Sequence, residues 1–112
     1  MKEGREEQEL RQKTVGRFIK NERERNGLTQ SEVAKKLAYS SAQFISNWER
    51  GVALPPMDQL PRLALLLEIS PRVLLDTLFR YQEELLKLQK RQLTLVFRSA
   101  MGEAARRRTM GE

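Results

Sequence analysis

Residues 28–51, LTQSEVAKKLAYSSAQFISNWERG, constrain this chain more than any other stretch. Apolar positions there recur at helical spacing in two short runs, separated by residues that stop a helix. In the first run Thr29 is placed to cap a helix and Glu32, three positions on, completes a capping box. Val33, Ala34 and Leu37 then supply its buried stripe. Tyr39, Ser40 and Ser41 break the run, and Ser41 caps the next one. In that second helix Phe44, Ile45 and Trp48 are expected to turn inward, leaving Ala42, Gln43, Ser46 and Asn47 outward, until Gly51 ends it.

Small amide and hydroxyl side chains on the exposed start of a second helix suit reading of base edges in a DNA major groove. Asn and Gln in particular pair with bases in two-point geometry. The order Gly27-Leu28-Thr29-Gln30, then Ala34 and Leu37, then Ile45-Ser46 and Trp48-Glu49-Arg50-Gly51 resembles the helix-turn-helix of the phage repressor (Cro/C1, XRE) family of bacterial and phage DNA-binding proteins. The likeness extends from about residue 15 to residue 71, roughly half the chain. Two departures stand out. The family pattern has Gly after the last apolar residue of the first motif helix where this chain has Ala38, and the turn here is one residue longer.

The resemblance implies an all-α, five-helix repressor-like domain and assigns roles within it. Gln30 takes the position from which the family bonds DNA phosphate. Ser41, Ala42, Gln43, Ser46 and Asn47 take those that read bases and adjoining phosphates. Among them Gln43 and Asn47 have the donor and acceptor that adenine needs, Ala42 offers a methyl contact to thymine, and Ser41 suits capping and phosphate. Arg50, with Lys35 and Lys36 on the preceding helix, is placed to touch backbone phosphates, as are Arg17 and Lys20 from the first helix. Glu49 is unsuited to a phosphate contact. The family pairs a Glu there with an Arg four residues before the glycine ending the first helix, here Arg23, so both are expected to brace the motif.

Composition supports a polyanionic partner. The formal charge is +6 and the pI about 10.1. Basic against acidic residues number 4 against 4 over residues 1–13, 8 against 6 over 14–69 and 9 against 5 over 70–112, so the excess is concentrated at the C-terminal end. Cys and His are both absent, which removes disulfides, thiol nucleophiles, the usual zinc sites and imidazole catalysis. An enzyme is therefore not expected, and neither is a metal or cofactor. No apolar run beyond residues 63–67 approaches a membrane span, and MKEGREEQEL lacks the apolar core of a signal peptide. A cytoplasmic, nucleoid-associated protein with no membrane partner is the expectation.

Four regions follow. Residues 1–13 form a charged arm or helix extension, and 14–70 the helix-turn-helix domain. Val15, Phe18 and Ile19 share one face of its first helix, which Gly27 stops. Apolar residues of the loop Val52-Ala53-Leu54-Pro55-Pro56 are expected to tuck under the core. A fourth helix over about 57–67 should bury Leu60, Leu63, Ala64 and Leu67, with an irregular first turn because Pro61 lacks an N–H. Ser70 and Pro71 then open a long helix over 71–101, ended by Gly102 and followed by a basic tail over 102–112.

That last helix has a seam, Leu74, Leu78, Tyr81, Leu85, Leu88, Gln92 and Leu95, at spacings of four and three. A second stripe, Leu75, Phe79, Leu86, Leu93 and Phe97, runs beside it. The seam has two readings. Either it folds back to complete the core of its own chain, or its near end packs on the domain while its far end joins a second chain. The second is favoured because so small a domain cannot cover so long an apolar surface. The expected function is sequence-specific binding of double-stranded DNA as a dimer or higher oligomer, regulating transcription, with repression favoured. The alternative is an antitoxin-like or anchoring protein whose last helix binds a different protein.

Overall fold

The computed structural model describes residues 2–109, with side-chain surroundings for residues 4–108. Met1 and the last three residues of the basic tail lie outside the described residues. The first helix runs unbroken through α1 (Lys2–Arg11), a π-helical turn (Gln12–Gly16) and α2 (Arg17–Arg25). Leu10 and Val15 are five residues apart, which an α-helix would send to different faces. The π turn absorbs the extra residue, so that Leu10 packs against the same core in which Val15 and Ile19 are buried. Of the two forms expected for the N-terminal segment, the helical one is adopted.

After α2 come α3 (Gln30–Lys36), α4 (Gln43–Glu49), a 3-10 turn (Met57–Gln59) that leads into α5 (Leu60–Leu66), and α6 (Pro71–Thr109). The described residues are all-α, with five helices when the continuous first one is counted once. Thr29 and Glu32 form the capping box at the start of α3, each side chain bonding the other residue's backbone N–H at 3.0 Å. Ser41 Oγ accepts from Gln43 N–H at 2.9 Å ahead of α4. Pro61 falls in the first turn of α5, where its missing N–H would have had no helical partner, and the irregularity it imposes is the 3-10 turn before it.

One device ends the first helix and the three short helices after it. After each, a residue with positive φ lets two successive N–H groups turn back onto the last turn: Gly27, Ala38, Gly51 and Glu68. For α3 the Tyr39 N–H donates to Ala34 O at 2.9 Å and the Ala38 N–H to Lys35 O at 3.1 Å, and the same pattern closes the other three. The first motif helix is therefore closed off by Ala38, before the Tyr39-Ser40-Ser41 breakers. Ala38 holds φ 63° and Glu68 φ 54°, a region that costs residues with a Cβ about 1–2 kcal/mol.

Val33, Ile45, Leu63 and Leu67 are wholly buried, joined by Val15, Ile19, Ala34, Leu37 and Trp48. Phe44 departs from expectation. It is 42% exposed, because Ile45 and Trp48 already occupy the inner face of α4, and its ring lies on the rim, stacked on Tyr39 at 4.6 Å. Tyr39 also meets Trp48 edge-on at 5.6 Å, which pins the turn between the motif helices. Within the 52–56 loop only Pro55 is buried, while Val52 and Leu54 stay exposed. Leu60 is half-buried.

The last helix corrects two expectations. Gly102 does not stop it: α6 spans 39 residues, since a single glycine costs only about 1 kcal/mol against flanking Ala and Arg. The seam is also largely consumed within the chain. Leu74, Tyr81 and Leu88 are buried and Leu78 and Leu85 half-buried, because α1 and the π turn fold back along α6 and α5 packs on its near end. Leu95 alone of the proposed association residues is exposed. Arg11 fastens this layer, donating from Nε to Gly51 O at 2.7 Å and from Nη1 to the Tyr81 hydroxyl at 2.8 Å. Gly51 is required there: a Cβ would lie 2.5 Å from both Gln12 N and Gln8 O. Gly16 allows an equally close approach to α4, where a Cβ would meet Glu49 O at 2.3 Å.

Two measurements test these local features. Ala38→Gly and Glu68→Gly should each raise stability in urea titrations by about 0.5–1 kcal/mol, the relieved strain less the entropy glycine adds to the unfolded chain, and the gains should add. Gly51→Ala should be strongly destabilising. In the second, the Glu32 carboxyl is held below its ordinary range, first by the Thr29 backbone N–H and then by the Thr29 hydroxyl. A carboxylate depressed in the folded state stabilises above its unfolded pKa and loses that contribution as pH falls through the folded value. Glu32→Gln should therefore flatten part of the acid limb of the stability profile while leaving neutral stability within the effect of one cap.

Candidate nucleic-acid interface

Beneath the outer face of α4 lies a buried carboxylate shared by three helices. Glu49 Oε2 accepts from Arg23 Nε at 2.6 Å and Glu49 Oε1 from Arg23 Nη2 at 3.0 Å, a two-point pair between α4 and α2. Gln30 Nε2 adds a third bond to Oε1 at 2.9 Å from α3. Arg23 Nη1 also donates to Leu28 O at 2.7 Å, holding the link between α2 and α3. The guanidinium pKa is raised, foremost by the hydrogen bonds to Glu49, with burial opposing, so Arg23 stays charged. Asn26 completes the frame, its Nδ2 donating to Leu67 O at 2.8 Å and so tying the end of α2 to the end of α5.

The expected pairing of Arg23 with Glu49 is thus present. Gln30 sits differently from a simple phosphate ligand: one of its two amide hydrogens is committed to Glu49, and the side chain is half-buried.

On the outer face the polar residues are linked in a row. Gln43 Nε2 donates to Asn47 Oδ1 at 2.9 Å, Arg50 Nη2 donates to the same oxygen at 2.8 Å, and Arg50 Nε donates to Ser46 Oγ at 3.1 Å. Helical spacing of three and four places them so. Gln43 and Arg50 are exposed, whereas Ala42, Ser46 and Asn47 are half-buried. Gln43 keeps its carbonyl oxygen and one amide hydrogen for an external partner. Both acceptor positions of Asn47 Oδ1 are engaged, leaving its Nδ2 group as a donor.

Ser41, Lys35 and Lys36 are exposed, as are Arg17 and Lys20 on α2. Lys35 and Ser41 meet in a groove between α3 and the start of α4 that Ser31 and Ser40 also line. The sequence gives neither of these two serines a place in the site, Ser40 being read only as a helix breaker. Hydroxyl side chains in a turn carry no periodic signal, and only the folded approach of α3 to α4 brings them to one groove. Lys36 points instead to a separate surface shared with Arg62 and Leu65. Among the described residues no group of His, Cys, Asp or Glu is arranged to hold a metal ion. No helix among the described residues is long and apolar enough to cross a membrane.

A family model described as helix-turn-helix matches residues 19–74, half of the chain. Neither a curated protein nor a solved structure matches it.

Removing one partner of the buried pair strands the other charge, at a cost of about 3–5 kcal/mol. Glu49→Ala and Arg23→Ala should both lower urea stability strongly, and the double replacement should cost clearly less than the two singles together. Strictly additive losses would show that the pair does not act as a unit.

Proposed function

The chain belongs to the Cro/C1-type, XRE-like helix-turn-helix family of DNA-binding regulators, and on that premise we propose that it binds double-stranded DNA sequence-specifically as a dimer and represses transcription by occupying promoter DNA. The observation that carries this reading is the row of Gln43, Asn47 and Arg50 on the open face of α4, backed by the buried Glu49 frame. A helix entering the major groove needs polar side chains at its surface and a rigid support beneath them. Both coincide on α4 and its C-cap residue Arg50.

In the proposed complex, Gln43 meets a base edge with its open acceptor and donor, the complement of adenine. Arg50 leaves Asn47 for a backbone phosphate, which returns one acceptor position to Asn47 and gives it two-point geometry as well. Ala42 and Ser46 lie against neighbouring bases. Ser41, Lys35 and the second amide hydrogen of Gln30 hold phosphates on one side of the groove, and Lys36 lends charge nearby. Two chains then read half-sites about one helical turn of DNA apart.

Selection of bound sequences from a random DNA pool should return a defined site whose affinity falls steeply with salt. Gln43→Ala and Asn47→Ala should each cost about 1–3 kcal/mol at that site and little on random DNA, whereas Arg50→Ala should weaken both and shallow the salt dependence. Unchanged affinity of both α4 variants at the selected site would move base reading to other residues.

A further inference from the structure

The seam that α1 covers is not the only apolar face of α6. Leu75, Phe79, Leu86, Leu93 and Val96 are between 40% and 63% exposed, on a line of four- and three-residue steps that Gln82, Gln89 and Ala100 complete. At its near end this stripe borders an apolar groove of about 420 Å³, where Leu75 and Phe79 face Met57, Leu60 and Pro61. The far end, residues 93–108, is exposed throughout. One half of the helix therefore carries a groove, and the other half an uncovered apolar ridge of comparable length.

We propose that a second copy of this chain occupies the stripe in antiparallel orientation, the Val96, Phe97 and Met101 end of each α6 filling the groove of the other. This inference rests on the dimeric reading above and specifies its surface. Charge argues for the orientation and the register. Glu83 and Lys90 both flank the stripe on its open side, and among the described residues neither makes an ion pair, whereas Glu84 pairs with Lys87 and Asp76 with Arg72 along the helix.

With the two-fold axis between residues 87 and 88, Leu75 lies opposite Ala100, Phe79 opposite Val96 and Leu86 opposite Gln89. Glu83 then faces Lys90 of the other copy, twice by symmetry. Sliding by one heptad sets Glu83 against Glu83 or Lys90 against Lys90. A parallel pair offers neither residue a charged partner, because the opposing flank holds Leu78, Leu85 and Gln92. The glutamines at residues 82 and 89 interrupt the stripe and add to the selection of one register.

The arrangement has a consequence for the interface on α4. At about 1.5 Å per residue, the two copies of Leu75 stand about 37 Å apart along the paired helices. Each helix-turn-helix therefore lies toward its own end of the antiparallel pair, and both are carried on one particle.

The chain has no cysteine, so single cysteines in the full-length protein report the arrangement directly. With a short thiol cross-linker, Leu86→Cys should link to itself, and Leu75→Cys should link to an Ala100→Cys chain but not to itself. Glu83→Lys should weaken dimerisation roughly tenfold in sedimentation equilibrium, and adding Lys90→Glu should restore it. Self-linking of Leu75→Cys, or a dimer in which neither stripe cysteine links, would overturn the antiparallel pairing while leaving a dimer in place. A parent that sediments as a monomer at micromolar concentration would remove the dimer as well, and recovery of a different protein linked through Leu86→Cys in cells would give the stripe to that protein.

Discussion

Everything on the outer face of α4 depends on one buried carboxylate beneath it. Glu49 takes hydrogen bonds from α2 through Arg23 and from α3 through Gln30, so one side chain sets the mutual position of three helices. A carboxylate taken out of water is costly unless its oxygens are filled, and here both are. The helices it joins, α3 and α4, have seven residues each, too short to hold their shape alone. Rigidity of the outer row is therefore borrowed from the frame below it.

A second layer surrounds that frame. The long first helix crosses from α4 to α6, and Arg11 bonds the carbonyl that follows α4 and the hydroxyl of Tyr81 on α6. Gly16 and Gly51 are the points where backbone meets backbone, and neither has room for a methyl group. The family-matched region ends at residue 74, so most of this layer comes from chain on either side of it. The α1–α6 layer joins the motif to a rod of about 58 Å, so whatever pairs on the rod is mechanically coupled to the motif.

Much of the motif was legible because its signals are local. The Thr29 and Glu32 box, the apolar spacing of Val33, Ala34, Leu37, Ile45 and Trp48, and the awkward Pro61 each depend on residues within one or two turns. What escaped depends on partners far away in the chain. Phe44 has the same spacing credentials as Ile45 but meets the core's rim, and Leu54 is as apolar as Pro55 yet stays outside. Seam residues such as Tyr81 and Leu88 carried a valid coiled-coil pattern. Periodicity identifies an apolar face but not which surface will cover it, and α1, charged and poor in apolar residues, gave little sign of being that surface.

The amino-acid sequence by itself determined that this is an all-α chain carrying a Cro/C1-type motif, because helical periods, caps and stops are written in adjacent residues. It also determined that Arg23 and Glu49 belong together, through their place in that motif. Only the tertiary structure decided that Gln30 is shared with Glu49, that Ala38 and Glu68 adopt left-handed backbone, and that α6 spends one face on its own N-terminus and keeps another open. The reason is geometric. A hydrogen bond between helices, a tight helix end in a residue without glycine's freedom, and the choice between two parallel apolar stripes are each settled by where distant segments come to rest.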